Sequence, residues 1–350
     1  MRSARMSQTS LRDRLLVSTL APAERENGRR FLSALGLVET KLRRVEEELL
    51  SRTRSPIGTI AEIGDYLVEG GGKRIRPALL LLASRVLGYE GERDVAYAAV
   101  IELIHTATLV HDDIIDAAET RRGRPSVNRR WGNELTVLFG DYLYMRSMEI
   151  ALEEGDLRVL KLLSDVTLEM TEGEIIASES RGSVDLDLPG YLDVVRRKTA
   201  LLFGAACRIP AFLVDGERHA ETLWAFGLAL GTAFQLQDDM LDYTASEKEL
   251  GKPVLSDARE GKLTLPLLLS LPRATPAERK LIERLVAGRD AAVSPQTVLE
   301  IVLRHGALER AHQMVDEHAD RARTLALSLP DSEARDGLLL ASEYAARRRK

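Results

Sequence analysis

Two runs of aspartate interrupt otherwise apolar stretches: Asp112-Asp113-Ile114-Ile115-Asp116 and Asp238-Asp239-Met240-Leu241-Asp242. Each has the form D-D-x-x-D. In a helix the first and last aspartates fall at i and i+4 and project from one face. Aspartate is a mediocre helix former, and carboxylates on one turn repel each other, so such a cluster in an apolar segment calls for a positive counter-charge. A face of carboxylate oxygens suits a hard divalent cation, above all Mg²⁺. Two such faces predict a site that gathers several Mg²⁺ ions around a polyphosphate. A single run has a bland alternative, a solvated helix face. With two runs, each beside a stretch (103–110 and 225–236) too apolar for a fully exposed helix, the rim of a cavity is the better reading. No EF-hand spacing accompanies them, which sets a calcium loop aside.

The cations come in sets. Gly71-Gly72-Lys73-Arg74-Ile75-Arg76-Pro77 places glycines, which let backbone approach a ligand closely, before basic side chains that can hold phosphate. It is not a Walker loop, because Leu67 occupies the first glycine position and Arg74 replaces the Ser/Thr. Further sets are Arg121-Arg122 before a Gly-Arg-Pro turn, Lys198-Thr199, Lys252, and Lys262 within Glu260-Gly261-Lys262-Leu263-Thr264. Any one of these is most often a surface residue; their value lies in the set.

The elements that must position these groups are helical. Apolar residues recur at three and four over 31–49, 57–69, 75–87, 93–116, 131–153, 157–180, 197–214 and 217–244. Shorter helices follow near 263–271, 276–287, 295–304, 307–327 and 332–346. Gly70-Gly71-Gly72, Gly88, Arg122-Gly123-Arg124-Pro125, Pro189-Gly190, Asp215-Gly216 and Pro272 punctuate them, and no strand pair with a hairpin signal is evident. With 350 residues, 45% hydrophobic and 5% aromatic, the chain is expected to form one all-α domain over 31–350 behind a polar arm at 1–30. That arm holds several arginines and serines before residue 23 and only Asp13 as an acid there, a loose likeness to an organellar transit peptide; Met6 is an alternative start. A net charge of -5 argues against nucleic acid as a partner. No apolar run approaches a membrane span, and the single Cys207 suits a reducing compartment, so a cytoplasmic setting is expected.

In their order, these motifs resemble the trans-isoprenyl diphosphate synthases, or polyprenyl synthetase family. The likeness rests on GGKRIRP at 71–77, HTATLVHDDIID at 105–116, RRGRPSVN at 121–128, GDYLY at 140–144, RKTA at 197–200, FQLQDDMLD at 234–242, and LGKP with EGKLTLP at 250–266. It spans roughly residues 35–345. The resemblance implies an isoprenoid-synthase helical bundle around a central cavity, condensing isopentenyl diphosphate with an allylic diphosphate. It makes Asp112, Asp116 and Asp238 ligands of Mg²⁺, with three ions when substrate is bound. Asp113, Asp239 and Asp242 complete the acidic walls. Arg121, Lys198, Thr199, Gln235 and Lys252 are implied for the allylic diphosphate. Lys73, Arg76, His105 and Arg122 are implied for isopentenyl diphosphate, although His105 alone would read as a core histidine. The departing pyrophosphate would take the proton, since no His or Glu is obviously placed as base.

In this family a bulky aromatic just before the first aspartate closes the product tunnel. Here Thr108 and Ala107 lie one turn below Asp112, with Ile104 and Ile101 beneath, so the floor is expected deeper. Tyr142, Met145 and Met148 on the following helix are candidates for the final stop. The resemblance is nearest to the octaprenyl-type synthases, so products of C30 to C50 for quinone side chains are expected. The alternatives are a geranylgeranyl (C20) or farnesyl synthase, or one subunit of a heteromeric synthase. A class I terpene cyclase would not need the second cation set. The resemblance also implies a homodimer, with transient membrane contact for product release.

Overall fold

The computed structural model describes residues 30–31, 33–214, 217–244, 255–288 and 293–347. The arm at 1–30, all but Arg30, and Lys252 lie outside the described residues. Among the described residues the chain is helical apart from one short hairpin, as the periodicity predicts. Helices α1 (Glu39–Thr53), α2 (Gly58–Glu69), α3 (Ile75–Val86) and α4 (Arg93–Ile115) lead to the first acidic run. Strands β1 (Thr120–Arg121) and β2 (Arg124–Pro125) follow, then α5 (Val127–Glu154), α6 (Leu157–Glu179) and α7 (Leu188–Val195). A π-helical turn at Arg196–Ala200 opens α8 (Leu201–Leu213), and α9 (Ala220–Thr244) ends at the second run. The remainder is α10 (Ser256–Arg259), α11 (Leu265–Ser270), α12 (Pro276–Val286), α13 (Pro295–Arg304), α14 (Ala307–Leu327) and α15 (Glu333–Arg347). No described helix is long and apolar enough to cross a membrane.

Helices α3 and α8 are buried nearly all round and form the centre, packed against each other, α4 and α9. One apolar cluster joins α1, α3, α4, α5, α6, α8 and the first part of α9; a second joins the end of α9 to α11, α12, α13 and α14. Helix α9 thus runs through both clusters. Two glycines press it onto its neighbour. A Cβ at Gly227 would sit 2.4 Å from Phe203 O, and one at Gly231 would sit 2.7 Å from Ala200 Cα. Only glycine permits that approach, which brings the second acidic run beside the π-helical turn.

Three local features differ from the periodicity reading. The Pro189-Gly190 pair opens α7 rather than breaking the chain: the Asp187 carboxylate caps the helix by accepting from Gly190 N–H at 2.8 Å, and proline is tolerated in the first turn. The hairpin at Thr120–Pro125 turns through Arg122 and Gly123, both at positive φ, as a tight hairpin turn requires. Helix α5 starts at Val127 but breaks at Gly132, whose φ of +83° is non-helical.

The loop before α3 is anchored from inside. Arg74, at φ +48° and buried, donates to Glu46 at 2.7 Å and to buried Glu102 at 2.6 Å. A Cβ at Gly72 would meet the Arg74 guanidinium at 2.8 Å, so the glycine leaves room for this anchor. Arg74→Ala would strand two carboxylates without their cation. Chemical denaturation should then show a loss of about 3–5 kcal/mol, the usual cost of removing one partner of a buried pair; a loss below about 1 kcal/mol would mean that the pair is not what holds the loop.

Candidate active site

The first acidic wall is the end of α4, and its three aspartates face different surroundings. Asp113 is buried and accepts from Arg121 Nε at 2.6 Å, while its backbone oxygen accepts from Asn128 Nδ2 at 3.0 Å. Burial raises its carboxyl, and the Arg121 guanidinium offsets part of that. Asp116 accepts from Arg181 at 2.5 Å and from Lys262 at 2.8 Å. Burial pushes its carboxyl up, but Lys262 and Arg181 together hold it below the ordinary carboxylate range.

Asp112 has neither arrangement. Among the described residues no group donates a hydrogen bond to its carboxylate. Burial, then the neighbouring Glu174 carboxylate, push it up to about 6, with Lys198 pulling the other way. Lys198 itself pairs with Glu174 at 2.5 Å. The π-helical turn that presents Lys198 and Thr199 is a local widening of the helix of a kind frequent at functional sites.

The second wall is the end of α9. Asp238 is exposed there, while Asp239 and Asp242 are buried. Asp239 accepts from Tyr191 OH at 2.5 Å and from Gln235 Nε2 at 2.8 Å, and Thr199 Oγ1 donates to Gln235 Oε1 at 2.8 Å. Burial raises Asp239 to about 7 even though both hydrogen bonds favour its ionised form. Asp242 accepts from Ser256 N–H at 3.2 Å, Ser256 Oγ at 2.8 Å and Asp257 N–H at 3.1 Å, so it fastens the start of α10. Of the second run, then, Asp238 is the residue left facing outward, and the other two aspartates hold the wall in shape.

A basic cluster stands beside the first wall. His105 is held neutral, its imidazole driven well below its ordinary value by burial and then by Arg76, Arg122, Arg121 and Arg74. Arg122 is lowered by burial and by the neighbouring Arg74 and Arg121. A Cβ at Gly72 would lie 3.4 Å from Arg122 Nη1, which puts the glycine loop carrying half-buried Lys73 against this guanidinium. The Arg76 guanidinium lies 4.4 Å above the Phe203 ring. The structure therefore gathers Arg76, His105 and Arg122 in one place, and Lys198, Thr199 and Gln235 in another.

All four described non-glycine residues at positive φ flank these groups: Arg74, Ala117, Arg122 and Leu255. Backbone in that region is costly and persists where surrounding contacts dictate it.

Reading the sequence alone misses Glu174, Arg181 and Tyr191. None belongs to a patterned run: each reaches the site from a helix or loop remote in sequence. Of the tunnel candidates, Ile101, Ile104 and Ala107 are buried on α4, and Thr108 is half-buried with its hydroxyl bonded to His105 O at 2.8 Å. Tyr142 packs near Phe139 and contacts Arg52 O, and Met148 packs on the first apolar cluster. Met145 is a correction. It is 61% exposed on the outside of α5, in line with Leu138 and Leu152, and cannot line an interior passage of its own chain.

Among the described residues no three carboxylate or imidazole groups converge closely enough to hold a metal by themselves. This donor set nevertheless fits Mg²⁺, which keeps waters and takes one or two carboxylates together with phosphate oxygens. Asp112, raised and without a hydrogen bond among the described residues, is the carboxylate of the first wall open to a cation. Two acidic helix ends thus stand beside two groups of cations, a set of donors chemically suited to divalent metal together with phosphate.

The family model described as Polyprenyl synthetase matches residues 58–302, and the chain belongs to that family. It is 39% identical to an octaprenyl diphosphate synthase from Escherichia coli, over 87% of this chain and 94% of that one. It is 40% identical to a heptaprenyl diphosphate synthase component 2 from Geobacillus stearothermophilus, over 84% and 91%. Its fold overlays a Caulobacter crescentus polyprenyl synthase complexed with calcium and isoprenyl diphosphate, with TM-score 0.87 and 33% identity over 91% of this chain and 98% of that one.

The raised Asp112 has a consequence for stability. A carboxyl lifted from 3.8 in the unfolded chain to about 6 favours the fold while protonated. That contribution is complete below about pH 4 and lost once pH passes about 6. Asp112→Asn should therefore stabilise the protein in EDTA at pH 8 by on the order of 1 kcal/mol, after allowing for solvent screening, and give no gain near pH 4. Denaturant titrations at both pH values test this; an equal gain at both would remove the electrostatic cause.

Proposed function

We propose that this protein is a long-chain trans-prenyltransferase that adds isopentenyl diphosphate head-to-tail to an allylic diphosphate. The observation that carries the reading is the pairing of two D-D-x-x-D helix ends with two separate groups of cations. The octaprenyl and heptaprenyl relatives support a long product, in the C30 to C50 range.

Asp112 and Asp116 would hold Mg²⁺ from one wall and Asp238 from the other. When bound, the metal neutralises charge developing on the leaving diphosphate. Lys198 and Arg121 stand at the first wall to bind and orient the allylic diphosphate, with Thr199 and Gln235 fixing the facing surface; Lys252 is assigned to the same group. Arg76, Arg122 and Lys73 hold the isopentenyl diphosphate, and neutral His105 can donate a hydrogen bond without adding another charge among the guanidiniums. The allylic C–O bond breaks, and the double bond of isopentenyl diphosphate attacks the resulting cation to form the new C–C bond. The released pyrophosphate takes the proton. Ile101, Ile104 and Ala107 offer the apolar surface below Asp112 along which a growing chain is kept from water. Three metal ions at full occupancy remain part of this proposal, as does residence in the cytoplasm, supported by the buried, free Cys207. Both apolar clusters share α9, which supports 31–350 acting as one domain.

A homodimer is supported by an exposed apolar stripe. Leu138, Met145 and Leu152 on α5 repeat every seven residues, and Leu157, Leu168 and Ile175 form a similar stripe on α6. The name of the component 2 relative favours a second arrangement, in which an unlike chain assists this one. Sedimentation of the purified chain distinguishes the two: Met145→Glu combined with Leu138→Glu should convert a dimer to monomers, and an unaffected dimer would place the interface elsewhere.

The reaction is tested by incubating the purified chain with farnesyl diphosphate, labelled isopentenyl diphosphate and Mg²⁺, then sizing the products. Products in the C30 to C50 range are expected, and a dominant C15 or C20 product would overturn the long-chain reading. Asp238→Ala should lower turnover by at least about a hundredfold; near-normal turnover would remove Asp238 from the metal site.

A further inference from the structure

Asp116 differs from Asp112 in having both carboxylate oxygens taken. Oδ1 accepts from Arg181 Nη2 at 2.5 Å, and Oδ2 accepts from Lys262 Nζ at 2.8 Å. The same guanidinium donates through Nη1 to Ile115 O at 3.2 Å, so Arg181 grips the last turn of α4 by side chain and backbone together. Its placement is built into the fold. Gly182 N–H donates to Gly261 O at 2.8 Å, tying the loop after α6 to the loop that carries Lys262. Gly261 has φ +84°, and a Cβ there would come within 2.9 Å of Arg181 Cγ. Two loops thus deliver two cations to one carboxylate as a unit. Lys262 also pairs with Glu260 at 3.0 Å, which divides its charge between two acids. Among the described residues Arg181 forms its ion pair with Asp116 and with no other acid.

A carboxylate oxygen committed to a guanidinium is a poorer ligand for a divalent ion, because the ion must displace or share that donor. A diphosphate changes the balance. It offers the guanidinium a planar-matched, more highly charged acceptor, to which arginine binds through two hydrogen bonds. On the reading of Asp116 as a metal ligand, we propose that Arg181 is a positioning residue that competes with the divalent ion for Asp116 and yields it when a diphosphate arrives. Arg181 thereby couples the two ligands: metal loads onto the first wall chiefly together with diphosphate. The coupling is reciprocal, so the metal strengthens diphosphate binding by the same factor.

Equilibrium binding of Mn²⁺, followed by its paramagnetic resonance signal with and without inorganic pyrophosphate, tests the idea without turnover. Manganese takes the same hard oxygen ligands as magnesium. In the absence of pyrophosphate, Arg181→Gln should bind Mn²⁺ about two- to fivefold more tightly than the unaltered chain, the range set by one partly exposed ion pair. With pyrophosphate present the two should converge, so the gain that pyrophosphate confers shrinks in the variant. Arg181→Lys, which keeps the charge but not the grip on Ile115, should fall between them. Arg181 is about a third exposed, and both variants should melt like the parent. An unchanged or weaker Mn²⁺ affinity in Arg181→Gln would overturn the competition. Asp116→Asn guards the underlying reading: if that variant binds Mn²⁺ with pyrophosphate as well as the parent does, Asp116 is not a ligand, and the proposal falls with that assignment rather than with Arg181.

Discussion

Six carboxylates have to be carried at the edge of an apolar core, and their neutralisation governs most of what surrounds them. Asp113 has Arg121, Asp116 has Arg181 and Lys262, Asp239 has Tyr191 and Gln235, and Asp242 has the start of α10. Asp112 is left raised beside Glu174, and Asp238 is left exposed. The three aspartates of each wall therefore sit in three different electrostatic surroundings. The same requirement explains the inward arginine of the glycine loop: Arg74 pairs with Glu46 and with buried Glu102.

Bringing two acidic helix ends near each other requires the helices behind them to touch backbone to backbone. Gly227 and Gly231 give α9 that contact with α8 and with the π-helical turn. The turn then displays Thr199 to Gln235 and Lys198 to Glu174. Packing, local helix geometry and charge placement are linked here: a methyl group at either glycine would separate the walls, and the Thr199–Gln235–Asp239–Tyr191 chain of hydrogen bonds would lose its reach.

The outer face of α5 and α6 obeys a different rule. Its leucines, Met145 and Ile175 repeat at helical spacing and are exposed among the described residues. The assignment of Met145 to an interior passage, made with Tyr142 and Met148 at a spacing of three, failed because helical spacing groups residues near one face and does not say which way that face points.

The sequence by itself determined the helical fold, since apolar spacing at three and four survives in nearly every element, and it determined the two acidic runs and the cation sets, because these are contiguous and locally patterned. It could not read α7, whose Pro-Gly opening resembles a break until the Asp187 cap is seen, nor the small hairpin, whose turn rests on an arginine at positive φ. Only the tertiary structure decided which aspartate faces which partner. Glu174, Arg181 and Tyr191 come from other elements, and their meeting with Asp112, Asp116 and Asp239 depends on how helices pack rather than on any spacing along the chain. Side-chain chemistry is written locally, whereas the field each side chain feels is a sum over neighbours that the chain brings together only by folding.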